Sequence, residues 1–157
     1  MKLEIVLIDK TDQAYLRTGL DLYAKRLQHY CRLQITTLQS PAAWGKLKPE
    51  EIKQRQGEQL LKRVPPGQNV YRLDEGGEQL SSRQLAGLIE KEDLYGTGTL
   101  TLIIGGPYGF SHEAQAAYPK ALSLSRMTFS HQMVRLILLE QLYRAFTIIR
   151  GEPYHHD

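Results

Sequence analysis

The alternation of short apolar runs with longer amphipathic segments is the feature that most constrains how this chain can fold. Residues 2–9 and 100–104 are almost continuously apolar, which is typical of strands covered on both faces of a sheet. Residues 33–38, 70–74 and 121–124 are interpreted as three further strands. Because strands that alternate with helices form parallel sheets, we predict an α/β fold, with a mainly parallel sheet and helices on both faces.

The segments between these runs contain residue patterns that are typical of helices. Pro49 precedes Glu50 and Glu51, which suits the first turn of a helix because acidic side chains favour its positive end. Ser81 and Gln84 have the spacing of a capping box. Helices are therefore predicted at residues 15–30, 49–64, from 81 onward, 111–118 and 131–149, with a loop at 39–48 and a turn at 75–77.

The composition narrows the class of protein. The chain has 157 residues, 41% hydrophobic and 24% charged, and no repeat or linker divides it, so we expect one domain over 1–157. Its formal net charge of +3 favours a nucleic-acid partner only weakly. Cys31 is the single cysteine, which excludes an intrachain disulfide. No run fits a signal peptide or a membrane helix, so we expect a cytoplasmic protein without membrane contacts.

Three strand ends form the candidate ligand site. Parallel α/β sheets bind ligands at the carboxyl ends of their strands, which here means residues 73–77, 104–109 and 124–129. Gly105 and Gly106 allow two interpretations. They let the backbone approach a ligand closely, or they only permit a tight turn.

Several well-known site signatures are missing. The first strand is not followed by the glycines of a dinucleotide fingerprint, and no phosphate-binding loop or nucleophile elbow is present. His155 and His156 are adjacent, which is poor spacing for metal ligands, and no cysteine cluster is available. We therefore expect no metal site.

The predicted helix at 131–149 concentrates charged side chains. His131 and Arg135 are four residues apart and share one helix face, as do Glu140 and Arg144. One interpretation is a core helix with a charged outer stripe. The other is a set of arginines that recognise phosphate, for which the planar guanidinium is well suited.

Four motifs in the second half of the chain are long and specific. They are IGGPYG at 104–109, SLSRMTFSHQMVR at 123–135, EQLYRAF at 140–146 and RGEPYH at 150–155. Together they resemble the RlmH family, methyltransferases of the large ribosomal subunit that belong to the SPOUT superfamily. The resemblance covers the whole chain, although residues 39–67 match only in general character.

The resemblance implies a fold feature and a cofactor. SPOUT enzymes have a trefoil knot near the C-terminus, which departs from the general rule that chains avoid knots. The loops of this knot bind S-adenosylmethionine. Carried onto this chain, the implied cofactor-binding residues are Leu73, Gly105, Gly106, Leu124, Ser125, Arg126, Met127, Thr128 and Phe129.

The resemblance also implies a partner and a reaction. Family members are homodimers in which the C-terminal tail of one subunit completes the active site of the other. The implied reaction is methylation of N3 of pseudouridine-1915 in 23S rRNA. Because the chain has a small charge excess and no added RNA-binding domain, we expect the substrate to be the assembled ribosome.

The expected catalytic residues lie in the last quarter of the chain. His155 is the first candidate for accepting the N3 proton and His131 the second, although His131 could instead only shape the cofactor loop. Arg144 and Arg135 are expected to hold RNA phosphate or the base carbonyls, and Tyr154 to orient the base.

Three alternatives remain open at this point. The chain could be a SPOUT methyltransferase that acts on another RNA, such as tRNA. It could be a non-catalytic ribosome-binding factor that has kept the fold. From the strand pattern alone, it could also be a flavodoxin-like binding domain.

Overall fold

Five parallel strands form one sheet at the centre of the molecule. The computed structural model describes all 157 residues. The strands are β1 (Lys2–Ile8), β2 (Arg32–Leu38), β3 (Val70–Gln79), β4 (Thr99–Ile104) and β5 (Ala121–Ser123), in the sheet order β2-β1-β4-β3-β5. The predicted parallel α/β sheet is therefore confirmed.

Five helices cover the sheet. They are α1 (Ala14–Leu27), α2 (Pro49–Arg63), α3 (Ser82–Tyr95), α4 (His112–Ala117) and α5 (Met133–Arg150). Ser81 and Gln84 form the capping box that the sequence predicted. Gly151 ends α5 in a left-handed conformation with φ of 67°. None of the helices combines the length and apolarity needed to span a bilayer.

The two faces of the sheet carry separate hydrophobic cores. Leu3, Ile5 and Leu7 of β1 point to one face, because side chains alternate along a strand. They pack in a core that includes residues of α1, α3 and α5. Val6 and Ile8 point to the other face, where α2 and α4 contribute to a smaller core. The prediction of helices on both faces is confirmed.

Two segments predicted to be irregular contain regular structure. The expected loop at 39–48 contains a short 3-10 helix, Ala42–Lys46. The expected turn at 75–77 does not form, because β3 continues to Gln79 and pairs with β5 after a register shift between Leu73 and Glu78. Local glycine content favoured a turn there, whereas pairing with a strand more than forty residues later sustains the extended conformation.

The long C-terminal helix begins at Met133, two residues later than predicted. His131 therefore lies in the turn before α5 rather than on it. The trefoil knot implied by the resemblance stays a prediction, because strand order and pairing alone do not define how a chain passes through a loop.

A matched pair of glycine substitutions tests the extension of β3. A Cβ atom at Gly77 would lie 2.6 Å from the backbone carbon of Ala121, whereas one at Gly87 on α3 would meet nothing within 4 Å. We expect Gly77→Ala to lower the free energy of unfolding by about 1 to 3 kcal/mol. Gly87→Ala is expected to raise it by about 0.5 to 1 kcal/mol. Urea unfolding of both variants measures this, and equal stability would contradict the close β3–β5 approach.

Candidate functional site

A cavity of about 560 Å³ opens at the carboxyl ends of β4 and β5, beside the middle of β3. That volume lies within the range of small-molecule sites in proteins. Its walls come from three segments that are remote in sequence, at residues 73–75, 104–110 and 122–131, together with Val134 at the start of α5. These are the three strand ends that the sequence marked.

All the predicted cofactor-binding residues except Arg126 line this cavity. They are Leu73, Gly105, Gly106, Leu124, Ser125, Met127, Thr128 and Phe129. Arg126 is exposed and is not part of the wall. The wall also includes Asp74 and Glu75, which the sequence analysis did not single out. Their position directly after Leu73 is a signal that could have found them.

The glycine-rich loop after β4 is held by contacts within the protein. Gly109 has φ of 80° and bridges to Gly106 across a tight turn. A Cβ atom at Gly105 would lie 3.2 Å from the Phe110 ring, and one at Gly106 would lie 2.8 Å from Oε1 of Gln56. A side chain at either glycine would therefore require Phe110 or Gln56 to shift beside the cavity.

Hydroxyl groups shape the segment that follows β5. The Ser125 hydroxyl accepts a hydrogen bond from the Met127 amide at 2.9 Å, and the Ser130 hydroxyl accepts one from the Met133 amide at 3.0 Å. The Thr128 hydroxyl donates to the Glu75 carboxylate, which joins this segment to β3 across the cavity. These bonds stabilise a cavity wall that contains no regular secondary structure.

The charge of the wall is unusual for a nucleotide site. None of its residues is lysine or arginine, while Asp74 and Glu75 contribute two carboxylates. Phosphate groups are normally bound by cationic side chains or by a helix N-terminus. The arrangement therefore favours a ligand that carries positive charge over one that carries phosphate.

Arg135 of α5 is buried beside the cavity, with 1% of its surface exposed. Its Nη2 atom donates to the Ile8 carbonyl at 2.6 Å, and Nη1 donates to the Asp9 carbonyl and the Thr11 hydroxyl, both at 2.9 Å. Nε donates to the His131 carbonyl at 3.1 Å. The predicted contact of Arg135 with RNA is wrong for this structure, because the guanidinium is enclosed and its donors are used within the chain.

The loop that Arg135 holds has a constrained backbone. Asp9 has φ of 61°, a left-handed conformation that is uncommon for residues other than glycine. Its carboxylate accepts a hydrogen bond from the Ser40 amide at 2.6 Å. Gln132 adds two bonds, accepting from the Asp12 amide at 2.9 Å and donating to the Lys10 carbonyl at 3.2 Å. The loop after β1 is thus fixed to the segment before α5.

His131 lines the cavity, and among the four predicted catalytic residues it is the one that does so. Burial lowers the pKa of its imidazole, and the nearby Arg135 charge lowers it further. The ring is therefore neutral around pH 7, and the charged form that it would take after accepting a proton is disfavoured.

The other three predicted catalytic residues form a cluster at the far end of α5. The Arg144 guanidinium donates to Oε1 of Glu140 from both Nε and Nη2, at 3.1 and 2.5 Å. The Tyr154 hydroxyl donates to the same oxygen at 3.1 Å, and the Tyr154 ring lies 4.7 Å from the guanidinium carbon of Arg144. Nη1 of Arg144 faces Nδ1 of His155 at 3.4 Å.

The acid–base properties of this cluster differ between its members. Burial and the neighbouring Tyr23 and Glu140 raise the pKa of Tyr154 far above its ordinary value. The hydrogen bond to Glu140 raises the pKa of Arg144. Both groups therefore stay protonated near neutral pH, so neither can accept a proton there.

Within one chain, this cluster and the cavity are separate. Arg144 follows Val134 by ten residues on α5, which corresponds to about 15 Å along a helix axis. No residue after Val134 lines the cavity. Neither Tyr154 nor His155 lines the cavity of its own chain.

Comparison with known proteins decides the family. Residues 1–155 match the family described as "Predicted SPOUT methyltransferase". This chain belongs to the SPOUT methyltransferase family.

Named relatives match along their whole length. A Geotalea daltonii protein called ribosomal RNA large subunit methyltransferase H is 45% identical over 156 residues, 99% of this chain and 100% of its own length. Proteins with the same name from Porphyromonas gingivalis and Carboxydothermus hydrogenoformans are 40% and 44% identical, with 99% or more of each chain covered.

This chain contains no group of three or more histidine, cysteine, aspartate or glutamate side chains placed to hold a metal ion. Cys31 is partly buried, and burial raises the pKa of its thiol to about 11. A thiol with so high a pKa is a poor nucleophile at neutral pH.

Substitution of Arg135 tests its contribution to the stability of the fold. Arg135→Met leaves three carbonyls without donors, so we expect the free energy of unfolding to fall by about 2 to 4 kcal/mol. Arg63, whose side chain is 39% exposed and pairs with Glu4 at 3.0 Å, provides a matched control. Arg63→Met is expected to cost less than about 1 kcal/mol. Denaturant unfolding with equal losses for the two variants would contradict the structural role of Arg135.

Proposed function

We propose that residues 1–157 form a single-domain, S-adenosylmethionine-dependent methyltransferase that acts in the cytoplasm on assembled ribosomes. The proposed reaction is methylation of N3 of pseudouridine-1915 in 23S rRNA. The observation that carries the proposal is the cavity at the strand ends, whose walls are the segments that the family resemblance assigns to the cofactor. The names of the relatives support a ribosomal RNA substrate.

The cavity fits S-adenosylmethionine in size and charge. Leu73, Leu124 and Phe129 offer apolar surface to an adenine ring, while the Ser125 hydroxyl and the Asp74 carboxylate offer polar partners. The acidic wall suits the cationic sulfonium and ammonium groups of this cofactor. A flavin or dinucleotide would bring its phosphate to the same carboxylates, which disfavours the flavodoxin-like alternative. When bound, S-adenosylmethionine supplies an electrophilic methyl group.

The separation of the cavity from the tail cluster supports a homodimer. A methyl acceptor must lie next to the cofactor, yet Tyr154 and His155 pack around Arg144, which is about 15 Å along α5 from the residue at which the helix lines the cavity of its own chain. A second copy related by two-fold symmetry can bring its tail to that cavity, and both sites are then completed in the same way. We therefore propose that each active site is shared between two subunits.

Arg144 and His155 together suit the edge of a uracil-type base. Nη1 of Arg144 is a donor and Nδ1 of His155 can be an acceptor, and the two atoms lie 3.4 Å apart. A carbonyl beside an N–H group is the complementary pattern, and N3 of pseudouridine has carbonyls on both sides. When the base enters, Nη1 of Arg144 turns from Nδ1 of His155 to a base carbonyl, and Nδ1 accepts the N3 proton while the Tyr154 ring orients the base. His131 then shapes the cofactor loop.

Methyl transfer to whole ribosomes tests the substrate. Ribosomes that lack the modification, free 23S rRNA and tRNA are each incubated with the protein and methyl-labelled S-adenosylmethionine. We expect label on ribosomes, with at least about tenfold less on free RNA, because a chain of modest charge relies on the shape of the assembled surface. Label on tRNA would overturn the substrate. Cofactor binding without transfer to any of the three would favour a binding factor.

Mixed dimers test whether the site is shared. One subunit carries Ser125→Arg, which places a cation in the cavity, and the other carries His155→Gln. Purified heterodimers are expected to have about half the wild-type activity, because one of the two sites keeps both an intact cavity and an intact tail. Homodimers of either variant should be nearly inactive.

Two controls make this result decisive. Placing both substitutions in one subunit beside a wild-type partner should abolish activity if the site is shared, but leave half of it if each chain works alone. His156→Gln alters the exposed neighbouring histidine and should keep full activity.

A further inference from the structure

Asp157 connects His155 to helix α3. Its Oδ1 atom lies 2.8 Å from Nε2 of His155. The same carboxylate accepts hydrogen bonds from Arg83, at 2.5 Å from Nη2 and at 3.0 and 3.1 Å from Nε. Arg83 is in the first turn of α3, and the adjacent Ser82 hydroxyl donates to Gln141 of α5 at 2.7 Å. The tail is thus held at a point where two helices are already joined.

The two neighbours of the His155 ring favour the same tautomer, and the contact with Asp157 at 2.8 Å is the stronger of the two. An ionised carboxylate only accepts hydrogen bonds, so the nitrogen that faces Asp157, Nε2, must carry the hydrogen. A guanidinium only donates, so the longer contact of Nδ1 with Nη1 of Arg144, at 3.4 Å, is compatible with a lone pair on Nδ1 but constrains it less. The hydrogen bond from Arg83, followed by that from His155, lowers the pKa of Asp157 to about 2, which keeps this carboxylate ionised across the working pH range.

Burial distinguishes His155 from its surroundings. The His155 side chain is 13% exposed, whereas the side chains of Asp157 and Arg83 are 67% and 60% exposed. Ion pairs as exposed as Arg83–Asp157 contribute little to folding stability. The effect of this pair is therefore expected on the orientation of the ring and not on the fold.

We propose that Asp157 is a positioning residue for methyl transfer, which holds His155 as the Nε2–H tautomer while Arg83 holds Asp157. This inference rests on the proposed function, in which His155 is the proton acceptor. The N3–H bond of the base breaks, its proton forms a bond to Nδ1, and the electron pair left on N3 forms the bond to the methyl carbon. The sulfur–methyl bond breaks at the same time, and its electron pair stays on sulfur. The resulting imidazolium is stabilised by the Asp157 carboxylate.

The test compares Asp157→Asn, Asp157→Glu and Arg83→Gln with a matched control, Glu50→Gln. Glu50 is also an exposed carboxylate, paired with Lys53 at 3.2 Å on α2, which packs on the face of the sheet opposite to α3 and α5. Methyl transfer to unmodified ribosomes is measured as a function of pH. Nitrogen NMR of labelled protein, with His155→Gln for assignment, reports the tautomer of the ring.

We expect Asp157→Asn to lower kcat about tenfold, with KM for S-adenosylmethionine unchanged, because the asparagine no longer specifies the tautomer. The pH profile of this variant should differ from that of Glu50→Gln, because the charge beside the reacting ring is lost. Asp157→Glu should recover most of the activity, and Arg83→Gln should lose about threefold by freeing the carboxylate.

Two results would overturn the proposal, and they differ from a failure of the proposed function. A kcat and pH profile of Asp157→Asn equal to those of Glu50→Gln would remove its positioning role in catalysis. If the ring tautomer is unchanged in Asp157→Asn, then Asp157 does not fix the tautomer of His155, whatever the activity of the variant. Full activity of His155→Gln would instead show that another group accepts the proton.

Discussion

The buried guanidinium of Arg135 is the interaction on which the ligand-binding edge of the sheet depends. It has no carboxylate partner, and its charge is balanced by the dipoles of backbone carbonyls on both sides of it. Because an unpartnered charge inside a protein is costly, the loop after β1 and the turn before α5 must take complementary positions. The wall of the cavity at His131 follows from this constraint, as does the left-handed backbone at Asp9.

Structural features that depend on neighbouring residues could be predicted from the sequence, whereas contacts between residues far apart in the chain could not. Apolar runs located all five strands, and Ser81 with Gln84 located the start of α3, because these signals act within a few residues. The strand ends located the cavity, since parallel strands end on one edge. The burial of Arg135 was not predictable from its spacing to His131, because its partners at Ile8 and Asp9 come from the other end of the chain.

Charge is divided between the two ends of α5. The cavity at the start of the helix has carboxylates and no cationic side chain in its wall. At the other end are three basic side chains with aromatic rings packed between them. They are Arg144 and Arg150 on the helix and the partly buried His155 in the tail. The cavity end is therefore acidic without cationic side chains, whereas at the tail end Arg144 is paired with Glu140 and His155 with Asp157.

Helix α5 consequently fixes both the distance and the rotation between the cavity at its start and the tail cluster at its end. Its core-facing residues pack against α1 and α3 along most of its length, so its rotation about its own axis is fixed. One inserted residue between Val134 and Arg144 would turn everything downstream by about 100° and advance it by about 1.5 Å. Leu142 and Phe146 would leave the core as Arg144 left its place beside the tail. Loops such as the one after β2 can change length during evolution. A single residue gained or lost in this helix would instead disrupt both the packing of the core and the position of Arg144.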